Sequence, residues 1–171
     1  MVLCADDFGI APGVSRSIAE LIQAARLSAT GCMTVCADWP SSAGALRAAV
    51  AHQPADIGLH LTLTDHRAAS NPADRLPALG VLMRACLGRR LRDNAFRTEI
   101  HAQLDAFERH WGAPPDFVDG HQHVHLLPGV REALVDILRT RYPIGRVWVR
   151  NCVEAPRRCF GRGPGWHKAL V

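Results

Sequence analysis

Apolar positions along the chain alternate between short continuous runs and a helical spacing. Val2-Leu3-Cys4-Ala5 is a short apolar run stopped abruptly by Asp6-Asp7-Phe8-Gly9. That is the pattern of a buried parallel strand with polar residues at its downstream end. Beyond Pro12-Gly13, residues Val14, Ile18, Leu21, Ile22 and Ala25 recur on one helical face. Ala29 to Cys36 reads as a second strand. Trp39 to Val50 reads as an alanine-rich helix opening on Pro40-Ser41-Ser42, where a serine can cap free backbone N–H groups. Asp56 to Leu63 is a predicted third strand. From Thr64 to about Leu79 the chain is polar, rich in Ala and interrupted by Pro72 and Pro77, and a loop of that length in a compact domain marks a lid or binding loop. Asp93 to Trp111 follows as one helix, with Phe96, Ile100, Leu104 and Phe107 on a single face. Asp116-Phe117-Val118 and the histidines behind it form a predicted fourth strand, Gly129 to Arg141 a helix, and Gly145 to Val149 a fifth strand.

Strands alternating with helices predict βα units and an α/β fold around a parallel sheet, either open and doubly wound or a barrel. No internal repeat or linker divides residues 1–171, so the expectation is a single domain. An eight-unit barrel takes about 250 residues, so five strands in 171 residues leave it unclosed. The tail from Asn151 to Val171 stops where another helix would begin. The expectation is therefore either an open sheet or a fragment of a barrel.

Composition narrows the function classes. With 48% hydrophobic and 21% charged residues, the chain can bury a core. It has no apolar run of about 18 residues that would span a membrane, and Met1-Val2-Leu3-Cys4-Ala5 lacks the basic n-region of a secretory signal. The cytoplasm is the expected compartment. The formal charge of +4 is carried by arginine, Lys168 being the only lysine. The clusters Arg89-Arg90-Leu91-Arg92 and Arg157-Arg158 have no interleaved aromatics on which bases could stack. They read as solvated faces, and no nucleic-acid partner is expected. Six cysteines without CxxC spacing read as buried thiols. The edges of an unclosed sheet leave a homo-oligomer open.

Three groups of residues point to chemistry. Asp6 and Asp7 are adjacent carboxylates at the downstream end of the first strand, where α/β folds place their ligands. A turn directly after the strand would aim both at one cavity; the plainer alternative is an Asp cap on that turn. His60, in Gly58-Leu59-His60-Leu61-Thr62, interrupts an apolar strand and needs a polar partner or a metal. Asp119-Gly120-His121-Gln122-His123-Val124-His125 is more specific, because on extended backbone His121, His123 and His125 would form a row on one face. Asp119 is placed to orient one of those rings.

Asp7, His60 and one histidine of the cluster would make a two-His, one-carboxylate set with open positions for water and substrate, the composition of a catalytic metal site. Such a metal lowers the pKa of bound water and polarises a carbonyl, and Asp6 beside it would be the general base. Two imidazoles favour zinc, while a carboxylate with several waters also suits magnesium or manganese. Arg150, at the end of the fifth strand, is a candidate for oxyanion or substrate binding, or for a surface ion pair. Cys32 and Cys36 share a strand face and read as core. His52, His66, His101 and His110 show no partnering pattern and read as surface residues.

On Ala5-Asp6-Asp7-Phe8-Gly9, Gly58-Leu59-His60-Leu61 and Asp119-Gly120-His121-Gln122-His123-Val124-His125, in that order and spacing, the chain resembles the YdjC-like carbohydrate deacetylases. That family includes chitooligosaccharide deacetylases and hopanoid-biosynthesis-associated members. The resemblance implies a TIM-barrel-like fold and hydrolytic removal of acetyl groups from N-acetylated sugars, oligosaccharides of the N-acetylglucosamine type or glycolipid head groups, with one divalent metal ion, Mg or Zn. By position it implies Asp6 as base, Asp7, His60 and His121 as metal ligands, and His123 and His125 in active-site or supporting roles. It also implies a late His-Pro-Gly motif whose histidine protonates the leaving amine. No His-Pro pair occurs in this sequence, so a chain truncated at its C-terminus is expected. The residues also leave open another metal-dependent amidohydrolase or phosphoesterase, or a remnant that binds metal or sugar without turnover.

Overall fold

The computed structural model describes residues 2–88 and 93–152. Arg89-Arg90-Leu91-Arg92, Arg157-Arg158, Cys159 and His167 lie outside the described residues. Five strands, β1 (Cys4–Phe8), β2 (Ala29–Cys32), β3 (Asp56–Leu61), β4 (Phe117–Gly120) and β5 (Trp148–Val149), pair in sequence order. Every pairing is parallel, as the alternation of strands and helices predicts. Parallel neighbours need a crossover. It is supplied by α1 (Pro12–Gln23), by α2 (Trp39–His52), by α3 (Leu79–Leu87) with α4 (Asp93–Trp111), and by α5 (Val130–Arg141). Among the described residues β1 and β5 are the sheet edges, and no helix is long and apolar enough to cross a membrane.

The two-residue period of β3 sorts its side chains between two environments. Ile57, Leu59 and Leu61 join Phe8, Cys32 and Val118 in one core with Ile18 and Ile22 of α1, Leu46 of α2, Ile100, Leu104 and Phe107 of α4, and Leu134 and Ile137 of α5. Trp39 sits at its centre, stacked on Phe107 at 5.5 Å and edge-on to Phe8, with its indole N–H donating to the Ala106 carbonyl at 3.2 Å. The alternate positions, Gly58 and His60, face the other way. Phe117 covers Gly58 so closely that a Cβ there would lie 2.5 Å from the ring, and Trp148 stacks on Phe117 at 4.6 Å. This aromatic layer forms a floor, and His60 on β3, Asp119 on β4 and Arg150 just after β5 each stand two residues further along the chain than Gly58, Phe117 and Trp148.

Several expectations are corrected. β1 runs on through Phe8 instead of stopping at Ala5, β2 ends at Cys32 rather than Cys36, and β3 ends at Leu61. The histidine segment is not a strand: His121–Leu126 is a 3-10 turn in which Gln122 (φ 54°) and His123 (φ 59°) are left-handed. His121, His123 and His125 therefore do not form a row. Ser41 and Ser42 do not cap α2; both hydroxyls donate to the carboxylate of Asp38, as does Ser15 of α1 at 2.5 Å. The helix α3 was not expected, although Leu79, Leu82, Met83 and Cys86 carry a helical spacing.

The long segment before α3 is fastened down. Glu99 of α4, 2% exposed, accepts from the backbone N–H groups of Ala69 and Ser70 at 2.8 and 2.9 Å, from the Ser70 hydroxyl at 2.6 Å, and from the Gln103 amide at 2.7 Å. Gln103 in turn pairs with both the N–H and the carbonyl of Thr62. The loop is thereby held over the downstream end of β3.

Candidate active site

Adjacent residues on a regular strand point to opposite faces, yet Asp6 and Asp7 both reach the same end of the sheet. A register shift between Ala5 and Phe8 breaks the β1–β2 ladder, and Asp7 adopts a left-handed conformation (φ 65°). Such a bulge re-aims a side chain, and aspartate is among the few residues that tolerate that backbone. Asp6 turns to Arg150, 3.0 Å away. Asp7 Oδ1 lies 3.2 Å from His60 Nε2 and 3.0 Å from His121 Nδ1.

His60, 3% exposed, is gripped from both sides. Its Nδ1 is 2.7 Å from Asp119 Oδ1, while Nε2 faces Asp7. Room for the first of these bonds comes from Gly31 on β2, where a Cβ would lie 3.1 Å from both His60 Nδ1 and Asp119 Oδ1. Burial opposes a charge on His60, but its hydrogen bonds to the two carboxylates outweigh it and raise its pKa to about 9. The hydrogen bond from His60 lowers Asp7 to about 2 against its burial, with His121 adding to the effect. Asp119, 1% exposed, is burdened by burial but held low by His60 and by Arg150, whose Nη1 lies 3.0 Å from Oδ2.

The donor set suits a cation. One oxygen of Asp7 and one nitrogen each of His60 and His121 all lie within 4.8 Å of one another, and an anionic oxygen with two imidazoles is standard ligation for a divalent ion. A second grouping, Asp6 with His60 and Asp119, meets the same spacing. There the Arg150 guanidinium already sits on both carboxylates and would repel a cation, so the Asp7 grouping is the better match.

The structure thus brings Asp6, Asp7, His60, Asp119, His121 and Arg150 together. His123 is exposed, and its ring lies 6.3 Å from His125 rather than beside Asp7. His125 is fully buried, with Nε2 3.0 Å from the carbonyl oxygen of Arg150 and Nδ1 without a partner among the described residues. Gly120 lets the turn close on that ring, since a Cβ there would lie 2.8 Å from Nδ1.

Three further side chains at the site were read differently or missed. His66 is not a free surface residue: its ring is 5.9 Å from that of His121, and its Nδ1 is 3.8 Å from Cys36 Sγ. Burial, followed by the neighbouring His121, pushes its pKa down. Cys36 therefore does not share a strand face with Cys32. Its thiol is raised to about 11 by burial and by Asp7 and Asp38, and that of Cys4 to about 12 by burial and by Asp6 and Asp119, which disfavours the thiolate at both. The Thr64 hydroxyl donates to Gln122 Oε1 at 2.9 Å, tying the β3 loop to the histidine turn. The available signal was positional, since Thr64 and His66 follow His60 directly on a loop expected to serve binding.

Comparison with known proteins adds lineage to this geometry. A carbohydrate deacetylase of Mus musculus is 31% identical over 94% of this chain and 56% of its own length. A carbohydrate deacetylase of Geobacillus stearothermophilus is 32% identical over 82% of this chain and 56% of its own length. A chitooligosaccharide deacetylase of Yersinia enterocolitica is 30% identical over 76% of this chain and 52% of its own length. The chain spans about half the length of the curated relatives it matches. A solved structure of a cellobiose-phosphate cleavage protein from Enterococcus faecalis superposes with a TM-score of 0.71 at 20% identity, over 91% of this chain and 60% of that one; this establishes the shared fold alone. The model for the family described as YdjC-like protein matches residues 1–169, a span that takes in every residue of the site, and the chain accordingly belongs to that family.

Proposed function

We propose that this chain carries the metal-binding and base-bearing part of a carbohydrate deacetylase, which hydrolyses the acetamide of an N-acetylated sugar to acetate and a free amine. The observation that carries the reading is the division of labour between adjacent carboxylates: Asp7 faces two imidazoles, and Asp6 faces a guanidinium. The names of the relatives point to the same reaction. The parallel sheet is read as part of a TIM-barrel-like fold.

Asp7, His60 and His121 would hold one divalent ion, zinc or magnesium. When bound, that ion would polarise the acetamide carbonyl and make water a better nucleophile. Asp6 is the base: its carboxylate, turned toward the same end of the sheet and steadied by Arg150, takes the proton from the attacking water. Asp119 keeps the His60 ring oriented by accepting from Nδ1, which leaves Nε2 directed at Asp7. Arg150 acts in support of Asp6 and Asp119, its guanidinium being engaged by both carboxylates. His123, exposed on the histidine turn, would meet the sugar.

The test is acetate release from N-acetylglucosamine oligomers by purified chain supplied with Zn2+ or Mg2+, with Asp6→Asn as control and cyclic amides and phosphoesters as alternative substrates. Release that disappears in Asp6→Asn while metal binding persists is the expected result. A chain that binds neither Zn2+ nor Mg2+, or acetate release that survives in Asp6→Asn, would overturn the reading.

A further inference from the structure

His125 poses a question that packing does not answer. It is fully buried, and its Nε2 faces the main-chain carbonyl of Arg150 at 3.0 Å. A carbonyl only accepts, so the proton is on Nε2 and Nδ1 carries a bare lone pair, which has no partner among the described residues. A buried unpaired acceptor costs stability, and an apolar side chain of similar size would avoid that cost. The gain lies in the placement of Arg150. Its N–H donates to the Val118 carbonyl at 3.0 Å, and its own carbonyl accepts from His125. The residue following β5 is therefore held on both sides of its Cα.

From that fixed backbone, Nη1 of Arg150 reaches Asp6 Oδ1 and Asp119 Oδ2, each at 3.0 Å. The other oxygen of Asp119 holds His60 Nδ1 at 2.7 Å, and His60 Nε2 faces Asp7. A single guanidinium nitrogen thus ties the carboxylate proposed as base to the imidazole proposed as metal ligand. We propose that His125 and Arg150 are positioning residues: His125 fixes the Arg150 backbone, and Arg150 sets Asp6 directly and the His60 ring through Asp119. This inference rests on the reading of Asp7, His60 and His121 as a metal site.

The test compares metal affinity with stability across variants of the full chain. Zn2+ dissociation constants are measured by calorimetry and melting temperatures on the metal-free protein. His125→Leu removes the donor and also the unpaired acceptor, so its melting temperature should hold or rise while Zn2+ affinity falls about tenfold, the low end of the loss usual for a ligand's direct partner, because His125 acts through Arg150 and Asp119. His125→Gln, whose amide N–H can occupy the place of Nε2, should recover most of that affinity. Arg150→Ala should show a similar loss, partly restored by added methylguanidinium, and it supplies the decision if His125→Leu does not fold. His125→Leu or Arg150→Ala binding Zn2+ as tightly as wild type would overturn the proposal. So would an affinity loss that merely tracks a fall in melting temperature. Failure of the metal-site reading has a separate signature: wild type that binds no Zn2+, or His121→Ala that binds it as wild type does.

Discussion

Gly31 looks like an ordinary small residue in a buried strand, and the structure gives it a specific task. Replacing it by alanine adds one methyl group 3.1 Å from His60 Nδ1, 3.1 Å from Asp119 Oδ1 and 3.2 Å from His60 Cβ, so those neighbours must give by a few tenths of an ångström. They have little freedom to do so: His60 is 3% and Asp119 1% exposed, and the bond between them is 2.7 Å long. Overpacking of this kind costs about 1–3 kcal/mol. The restricted unfolded chain of alanine returns about 0.4–1 kcal/mol, leaving a net loss of about 1–2 kcal/mol. With a urea slope of about 2 kcal/mol/M, the unfolding midpoint should fall by about 0.5–1 M. The rotation of His60 should also weaken Zn2+ binding about tenfold or more. Urea unfolding followed by circular dichroism and calorimetric titration of Zn2+ read the two effects separately. A lowered midpoint with unchanged affinity would show that Gly31 serves packing alone. Wild-type values for both would refute the placement of His60 and Asp119 against β2.

Glu99→Ala strips the acceptor from the N–H groups of Ala69 and Ser70 and from the Gln103 amide. At about 1–3 kcal/mol for each buried group left unpaired, eased by water entry at the loop, the expected loss is about 3 kcal/mol, with faster amide hydrogen exchange at residues 69 and 70. Protection there equal to wild type would mean that the loop is held by something else. Glu108 gives the pH dependence: burial raises its pKa, but Arg141, with Nη2 at 2.7 Å, and the Tyr142 hydroxyl outweigh this and hold it below its ordinary value of 4.5. A depressed carboxyl contributes stability that is present above its unfolded pKa and lost as pH falls through the folded one. Urea midpoints measured from pH 7 down to pH 3 should therefore drop less steeply below about 4.5 in Glu108→Gln than in wild type, and parallel curves would contradict the assignment.

The parts of the molecule that were legible in the sequence are those in which one physical signal dominates. Ile57, Leu59 and Leu61 are apolar because one face of β3 meets the helices, and the spacing of Phe96, Ile100, Leu104 and Phe107 places α4 correctly. His60 stands out because an imidazole inside such a strand has to be satisfied, and Asp7 and Asp119 satisfy it. The histidine segment misled because alternation was read as extended backbone. Gly120, with the left-handed Gln122 and His123, curls the chain into a turn that separates the three rings into three environments. Spacing alone does not single out His121 as the ring beside Asp7; the family resemblance implies it. The shift of β1 register was equally hidden, since Asp6-Asp7 reads the same whether a turn or a bulge re-aims it. His66 reads as a surface residue in the sequence because its neighbours, Cys36 and His121, are brought to it only by the tertiary fold.

Two neighbouring carboxylates at one site would ordinarily compete for the same cation, and the fold avoids this by giving each its own counter-charge. The bulge at Asp7 turns that side chain toward two imidazoles, while Asp6 stays beside the guanidinium of Arg150. A guanidinium remains charged at every accessible pH and occupies its donors without accepting a proton. In the proposed site it would keep a metal ion away from Asp6 without itself taking the proton that a base must collect. The imidazoles opposite Asp7 differ, because each offers a ring nitrogen that would ligate a metal in the proposed site. On the proposed reading, a permanent guanidinium charge on one side and imidazole donors on the other give two identical side chains, one residue apart, different chemical roles.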